Sequence, residues 1–260
     1  MTLPPVPEPF HWTAEPWGHA LTCRALDPIA HAFTTRELQL TAAGWGTLAA
    51  GLGVADARVW RARQVHGKTV VVTSGDAPGS PPEADALISR DPSVVLAVVA
   101  ADCVPMLLAD SRTGSVGAVH AGWRGTAARV AVAAVSTMQR EFGTSPDDLV
   151  AVIGPAIGPC CYEVGTELVD AFAAAGHERY LIDRWFATPP PRRGEPRDPQ
   201  RKLRLDVAGA NRDQLVLAGV PENRIYTAGL CTAMRTDLLT SYRAEKDKAT
   251  RIAAAIRAAG

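Results

Sequence analysis

Short apolar runs separated by turn residues occupy the middle of the chain. Between residues 94 and 121, VVLAVVAA is followed by VPMLLAD and, after a turn at 110–114, by SVGAVHA. Strands covered on both faces give unbroken apolar runs rich in β-branched residues, so we predict three buried strands here, interrupted at Pro105. LVAVI (149–153) and RIYTA (224–228) predict two more strands.

Weaker patterns predict the remaining elements. Residues 57–67 alternate in polarity and predict a strand, with 68–75 as its hairpin partner or continuation. Helices are predicted at 41–51, 126–142, 164–175 and 205–220, and short strands at 25–37. Asp206 is the expected N-cap of the last helix, and Gly219 lies near its C-cap. By propensity, the alanine-rich tail from 245 to 260 predicts a short helix.

Proline-rich segments mark the expected irregular regions. Residues 1–20 are predicted to form an extended lead-in, and 75–85 a loop. The segment TPPPRRGEPRDPQRK (188–202) is rich in proline and charge and is expected to be mobile. It is expected to be a surface loop rather than a domain boundary, because a structured pattern resumes directly after it. We therefore predict one domain over residues 1–260, of the α/β class, built as a layered sandwich of mixed β-sheets flanked by helices.

The net charge and the apolar runs limit the classes of partner that the chain is expected to bind. The formal net charge of the 260 residues is +0, so no basic field exists to gather nucleic acid or anionic membrane, and a small-molecule partner is expected. The longest apolar run is far shorter than the roughly 20 residues that a membrane helix needs. A monomer or small homo-oligomer is expected.

Cysteine usage indicates a reducing compartment. The chain has 5 cysteines, an odd number without the regular spacing of a disulfide framework. The N-terminal residues have no basic segment followed by an apolar one, so no secretory signal is visible. We expect a cytoplasmic protein with reduced thiols.

Three side chains that suit zinc stand at predicted strand ends. His66 precedes Gly67, Cys103 precedes Pro105, and His120 precedes Gly122. Two histidines and one cysteine leave a fourth position open, as in a catalytic zinc site. The spacing matches no local metal motif, and a buried structural cysteine with hydrogen-bonded strand histidines is an equally simple interpretation. A third interpretation makes Cys103 a nucleophile, with His120 as its base and Asp102 nearby.

Candidate substrate contacts lie beside these groups. Arg124 follows Gly122 and Trp123 at the start of a predicted helix, where a guanidinium suits a phosphate or carboxylate. Arg36 follows two threonines and is a second candidate. Cys160 belongs to the glycine-rich loop GPAIGPCCYEVG (154–165), which either approaches a ligand or packs tightly.

Several blocks of the sequence resemble the YfiH family, also called the multicopper polyphenol oxidase (laccase), purine nucleoside phosphorylase or peptidoglycan editing factor family. The blocks are QVHG (64–67), EADALIS (83–89), ADCVPMLLAD (101–110), AVHAGWRG (118–125), IGPAIGPCCYEVG (153–165), LDVAGANRDQL (205–215), and CT followed by SYR (231–243). They run in order over nearly the whole chain. The chain departs from the family after Arg36, where ELQLTAAG replaces a glycine pair, and after SYR, where AEKDKATR replaces a glycine-containing turn.

This resemblance implies a function and a metal site. It implies a zinc ion bound by His66, Cys103 and His120. We expect these three residues to form the catalytic group together with Asp102, a candidate for proton transfer or ribose binding. The implied reactions are phosphorolysis of adenosine, inosine, guanosine and methylthioadenosine, with phosphate as co-substrate, and deamination of adenosine. Arg36, Trp123, Arg124 and Cys160 are the candidate substrate contacts. Two alternatives remain open, a copper-dependent polyphenol oxidase and a peptidoglycan-precursor hydrolase that uses Cys103.

Overall fold

The structure, a computed structural model, describes residues 3–187 and 203–258. The described residues form 15 strands and seven α-helices. The strands are β1 (Phe10–Glu15), β2 (Gly18–Cys23), β3 (His31–Thr34), β4 (Val59–Arg61), β5 (Val70–Val72), β6 (Ala86–Ser89), β7 (Val95–Ala100), β8 (Val104–Asp110), β9 (Ser115–Ala121), β10 (Leu149–Ile153), β11 (Glu163–Val164), β12 (Phe186–Ala187), β13 (Leu203–Leu205), β14 (Ile225–Thr227) and β15 (Ile252–Arg257). The helices are α1 (Ala42–Gly51), α2 (Trp123–Ala127), α3 (Val130–Phe142), α4 (Thr166–Ala174), α5 (Arg179–Trp185), α6 (Val207–Leu217) and α7 (Tyr242–Glu245).

Two six-stranded mixed sheets lie face to face. The first has the order β1-β2-β3-β15-β7-β4 and the second β14-β10-β8-β9-β6-β5, while β11-β13-β12 form a small third sheet. Phe33, Leu96 and Ile256 of the first sheet share one buried cluster with Leu107 and Val152 of the second. Helix α1 covers the outer face of the first sheet, and α3 to α6 pack on the outer face of the second. The predicted sandwich of mixed sheets flanked by helices is confirmed.

Strand β7 shows why the central sequence is continuously apolar. Val95 and Ala97 belong to the cluster under α1, whereas Leu96 and Val98 belong to the cluster between the two sheets. Successive strand side chains point to opposite faces, and both faces are covered here. Each fully buried valine or leucine side chain contributes about 1.5–3 kcal/mol.

The chain crosses from the first sheet to the second between β7 and β8. This crossing takes only residues 101–103, and Asp102 adopts φ 87° there. The predicted interruption at Pro105 is wrong, since Pro105 lies inside β8 opposite His120. Its carbonyl accepts a hydrogen bond from the Gly154 N–H at 2.9 Å. The sharp bend therefore falls at Asp102 and Cys103.

The predicted C-terminal helix is also wrong. Residues Ile252–Arg257 form β15, a central strand that pairs with β3 on one side and β7 on the other. Ala254 and Ile256 face the core between the sheets, whereas Ala253 and Ala255 face α1. Backbone hydrogen bonds on both sides and two covered faces outweigh the helix propensity of alanine, because strand formation is decided mainly by context.

Local patterns also misassigned three other segments. The extended lead-in predicted for residues 1–20 is wrong from residue 10 onward, because Phe10–Glu15 and Gly18–Cys23 form the antiparallel hairpin β1–β2. Strand β5 pairs with β6 in parallel, so it is not the hairpin partner of β4. The predicted helix at 126–142 is divided by Arg129, whose φ of 62° separates α2 from α3.

The other helix predictions are confirmed. Helices α1, α4 and α6 fall within 41–51, 164–175 and 205–220. The Asp206 side chain caps α6 by accepting from the Gly209 N–H at 2.8 Å, and Gly219 has φ 95° just beyond the helix. The predicted loop at 188–202 lies outside the described residues. Among the described helices, none combines the length and the hydropathy of a membrane span.

Candidate active site

Strand pairing brings His66, Cys103 and His120 together. Strands β8 and β9 are antiparallel, so the start of β8, which follows Cys103, lies beside the end of β9, which carries His120. The loop from β4 to β5 supplies His66, whose backbone is left-handed with φ 60°. The possible ligand atoms of the three side chains all lie within 4.8 Å of one another. We call these residues the histidine–cysteine cluster.

A buried carboxylate that the sequence analysis missed orients this cluster. Asp85 is 0% exposed and accepts hydrogen bonds from the backbone N–H groups of Val65, His66 and Gly67 at 3.3, 2.9 and 2.6 Å. Its Oδ1 also lies 2.9 Å from Nδ1 of His120. Because Nδ1 faces Asp85, the Nε2 atom of His120 is left for the cluster. One carboxylate thus positions both histidines, as the hydrogen-bond partners of ligating histidines do in metal sites.

Gly122 provides the space in which the ligand atoms converge. A Cβ atom at this position would lie 2.8 Å from Cδ2 of His66 and 2.9 Å from Sγ of Cys103. Both distances are shorter than van der Waals contact. Residue 122 must therefore lack a side chain if His66 and Cys103 are to keep their places.

The cluster favours a charged thiolate. Burial raises the pKa of Cys103, but hydrogen bonds with His120 and His66 outweigh burial and lower this pKa to about 6. Burial lowers the pKa of His120, but hydrogen bonds with Asp85 and Cys103 outweigh burial and raise it. Both shifts express one attraction between a thiolate and an imidazolium. A thiolate with two imidazoles is a donor set that suits zinc, so the residues present fit a metal ion.

Asp102 has a structural task at the bend between the sheets. Its Oδ1 accepts from the Thr232 hydroxyl at 2.6 Å, and its Oδ2 accepts from the backbone N–H of Arg243 at 2.6 Å. These bonds join the bend before Cys103 to two distant segments. Asp102 therefore positions Cys103 and Arg243, and its predicted part in catalysis stays a prediction.

Cys103 lies between two cavities. One, of about 400 Å³, is lined by Cys103, Trp123, Tyr162, Arg243 and Lys246, with other residues, and we call it the Tyr162 cavity. The other, of about 450 Å³, is lined by Gln64, His66, Cys103 and His120, among others, and we call it the Gln64 cavity. The ligand atoms are thus reachable from two sides.

The structure changes which basic groups stand near the cluster. Arg243 and Lys246 line the Tyr162 cavity, and the Arg243 guanidinium lies 5.2 Å from the centre of the Tyr162 ring. Sequence reasoning missed both, although Arg243 belongs to the SYR block. Arg124 is exposed and stacks on Trp123 at 4.3 Å. Arg36 pairs with Glu245 at 3.1 Å and donates to the Thr236 carbonyl.

Cys160 does not join the histidine–cysteine cluster. It is exposed and lines a third cavity of about 510 Å³ together with Cys231, Asp206 and Arg212, among others. Trp123, by contrast, lies in the wall of the Tyr162 cavity, as expected for a substrate contact. The substrate-binding roles of both residues stay predictions.

Comparison with known proteins gives a consistent picture. Residues 37–259 match the family model described as multi-copper polyphenol oxidoreductase laccase. A purine nucleoside phosphorylase of Deinococcus radiodurans is 35% identical over 88% of this chain and 88% of its own length. Another, from Bacteroides thetaiotaomicron, is 38% identical over 66% of this chain, and the match spans 60% of that relative's length.

Two further similarities concern activity and fold. A protein named adenosine deaminase, from an unknown prokaryotic organism, is 40% identical over 57% of this chain and 52% of its own length. The crystal structure of the hypothetical protein YfiH from Bacillus licheniformis superimposes with a TM-score of 0.85 and 27% identity, covering 97% of this chain and 100% of that one.

Proposed function

This chain belongs to the family described as multi-copper polyphenol oxidoreductase laccase, and we propose that it is a zinc-dependent purine nucleoside phosphorylase. Its substrates would be adenosine, inosine, guanosine and methylthioadenosine, and it would also deaminate adenosine. The observation that carries this proposal is the histidine–cysteine cluster, set between two cavities, in a chain whose relatives are named for these two activities.

His66, Cys103 and His120 would hold the zinc ion. Metal ligands must be a thiolate and neutral imidazoles. Cys103 already favours the thiolate, whereas His120, whose pKa is raised, would release its Nε2 proton as the ion binds. Asp85 keeps the His120 ring in the orientation that directs Nε2 to the ion. A bound zinc ion supplies Lewis-acid chemistry and a nucleophile at neutral pH.

The Tyr162 cavity would receive the purine nucleoside and phosphate. Trp123, Tyr162 and Tyr242 offer aromatic surface for the base, and Arg243 and Lys246 offer positive charge for phosphate. Burial and the Cys103 thiolate raise the pKa of Tyr162 to about 12, so its hydroxyl keeps its proton and remains a hydrogen-bond donor. Phosphorolysis needs an anionic nucleophile held in line with a developing positive charge on the sugar, which these basic groups would help to position.

Product analysis tests the proposal directly. The purified full chain is incubated with adenosine, with and without phosphate, and the products are separated by chromatography. We expect adenine and ribose 1-phosphate only when phosphate is present, and inosine in both incubations. Absence of both the phosphorolysis products and inosine would contradict the proposal.

A variant of His66 links the activities to the metal. His66→Ala should lower both rates more than about 100-fold, because even the loss of a residue that only hydrogen-bonds a metal ligand costs about 10–100-fold. His19→Ala is the matched control, since His19 is also partly exposed but pairs with Glu37 at 3.0 Å on the first sheet. Parent-level turnover by His66→Ala would reject zinc catalysis at this cluster.

A copper-dependent polyphenol oxidase is the second candidate, which the family description favours. Two histidines and one cysteine are also ligands of copper sites, so the donor set alone does not separate the two metals. Metal analysis of protein purified without added copper distinguishes them. Stoichiometric copper together with turnover of a phenol would support the oxidase and reject the zinc enzyme.

A further inference from the structure

Three further cysteines converge on the other side of Ile157 from the histidine–cysteine cluster. The sulfur atoms of Cys160, Cys161 and Cys231 all lie within 4.8 Å of one another, and all three thiols are free. We call them the three-thiol cluster. Ile157 lines both the Tyr162 cavity and the third cavity, where Cys160 and Cys231 are found, so it separates the two clusters.

Backbone hydrogen bonds fix this convergence. Ala156 forms a parallel bridge with Cys231, with the Ala156 N–H donating to Leu230 at 3.2 Å and the Thr232 N–H donating to Ala156 at 3.1 Å. The chain then turns at Gly158, whose carbonyl accepts from the N–H groups of Cys161 and Tyr162, each at 3.0 Å. A bridge and a turn thus place one thiol opposite two adjacent ones.

Two features favour an ion among these sulfurs. The Gly158 N–H donates to the Cys231 sulfur at 3.3 Å, which stabilises negative charge on that sulfur. A Cβ atom at Gly158 would lie 3.3 Å from the Cys160 sulfur and 3.6 Å from the Cys231 sulfur, so a side chain would crowd the thiols. The space at Gly158 is therefore tight, although less restricted than the space at Gly122, where the corresponding distances are 2.8 and 2.9 Å.

A cation would remove an electrostatic conflict. Desolvation and the neighbouring thiols of Cys231 and Cys161 raise the pKa of Cys160 to about 12. Three thiolates cannot gather without a compensating positive charge, and a soft metal ion supplies one while displacing the protons. In tetrahedral coordination at about 2.3 Å, two sulfurs lie about 3.8 Å apart, so the sulfurs need to close by only about 1 Å.

We propose that Cys160, Cys161 and Cys231 form a second metal site that binds a thiophilic cation, Zn²⁺ or Cu⁺, through three thiolates. The fourth position faces the third cavity, through which the ion and a water molecule reach the sulfurs. This proposal does not depend on the proposed enzymatic activity. A disulfide between the adjacent Cys160 and Cys161 is disfavoured by its strained geometry.

Metal stoichiometry tests the second site. The full chain is freed of metal, kept with a non-thiol reductant under nitrogen, and titrated separately with Zn²⁺ and Cu⁺, and bound metal is counted after gel filtration. For at least one of the two ions we expect two per chain in the parent, one in Cys161→Ser/Cys231→Ser and one in Cys103→Ser. A parent that binds a single ion of either kind, retained in the double variant, would overturn the second site.

Alkylation of the parent protein gives a test that no folding defect can disturb. Each cysteine is mapped by mass spectrometry after brief iodoacetamide treatment, with and without the ion. We expect the ion to slow the alkylation of Cys160, Cys161 and Cys231 at least tenfold. Protection that extends to Cys103 alone would reject the proposal, and the identity of the protecting ion decides between Zn²⁺ and Cu⁺.

Discussion

The two clusters of possible metal ligands differ in the groups that hold them in place by hydrogen bonds. The histidine–cysteine cluster is supported by Asp85, a buried carboxylate that fixes both the His66 backbone and the His120 ring. The three-thiol cluster is supported by backbone alone, through the Gly158 N–H and the bridge at Ala156. Side-chain support orients an imidazole and tunes its basicity, whereas backbone support gathers the sulfurs and stabilises negative charge on Cys231 alone. Under the two proposals, the first cluster would therefore serve chemistry and the second would hold an ion.

Among changes to the groups that support the two clusters, the largest effect is expected from removing that carboxylate. Asp85→Asn should weaken zinc binding at the histidine–cysteine cluster by about 10–100-fold, because a neutral amide replaces the charged acceptor that fixes the Nδ1 proton of His120. Since the amide also fails to accept all the bonds of the carboxylate, it should cost about 1–3 kcal/mol of unfolding free energy. Competition with a chromophoric chelator measures the affinity, and urea denaturation measures the stability.

The matched control is Asp91→Asn. Asp91 also accepts backbone bonds within a loop, from Gly75 and Ser93, each at 2.8 Å. It should leave zinc affinity at parent strength. Equal losses of affinity in the two variants would mean that Asp85 acts only through general stability.

Gly122→Ala should have a smaller effect on the same cluster. The new methyl group would displace His66 and Cys103 by some tenths of an ångström to relieve contacts of 2.8 and 2.9 Å. We expect zinc affinity to fall about tenfold, at the lower end of the range for indirect changes at metal sites. Gly46→Ala is the control, because a Cβ there meets nothing within 4 Å, and it should stabilise α1 by about 0.5–1 kcal/mol. Unchanged affinity in Gly122→Ala would show that the cluster tolerates rearrangement.

The smallest effect concerns pH. Hydrogen bonds from Ser93 and Gly75 lower the pKa of Asp91 to about 2, below its value in the unfolded chain. A lowered pKa contributes stability above the unfolded value of about 3.9, and this contribution is lost as pH falls towards 2. Urea midpoints should therefore differ between the parent and Asp91→Asn at pH 7 and converge near pH 2. A difference that is independent of pH would assign the loss to packing.

Position at a predicted strand end made His66, Cys103 and His120 candidate ligands, and the resemblance to the family was needed to favour a metal over a structural or nucleophilic cysteine. In the structure His66 lies in the loop between β4 and β5, not at a strand end. Each is a potential ligand beside a turn or a glycine, and that property is local. Asp85 also stands directly before a buried strand, in the block EADALIS, but its importance depends on β6 pairing with β9, which no local pattern reveals. The only local sign of Asp85 in the sequence was an acidic residue directly before an apolar run.

The basic residues near the site could not be selected from local sequence. Arg36 and Arg124 were chosen because glycine, tryptophan or threonine residues precede them, yet Arg36 binds Glu245, which lies more than 200 positions later. The backbone N–H of Arg243 donates to Asp102, and this hydrogen bond holds Arg243 at the wall of the Tyr162 cavity. Pairings over such separations follow from the closing of the whole sandwich. The tail was misassigned for the same reason, since alanine favours a helix until a vacant position between two strands accepts it.

The position of β15 has a consequence for synthesis of the protein. This strand joins β3 to β7, so within the described residues the hairpin side of the first sheet is hydrogen-bonded to its β7–β4 side only through β15, which is made after the other strands of that sheet. Until β15 is made, the edges of β3 and β7 that pair with it remain unpaired. Unpaired strand edges can pair with other chains. Completion of the sheet is thereby a late, long-range event, and cellular chaperones that shield open edges would act before β15 emerges.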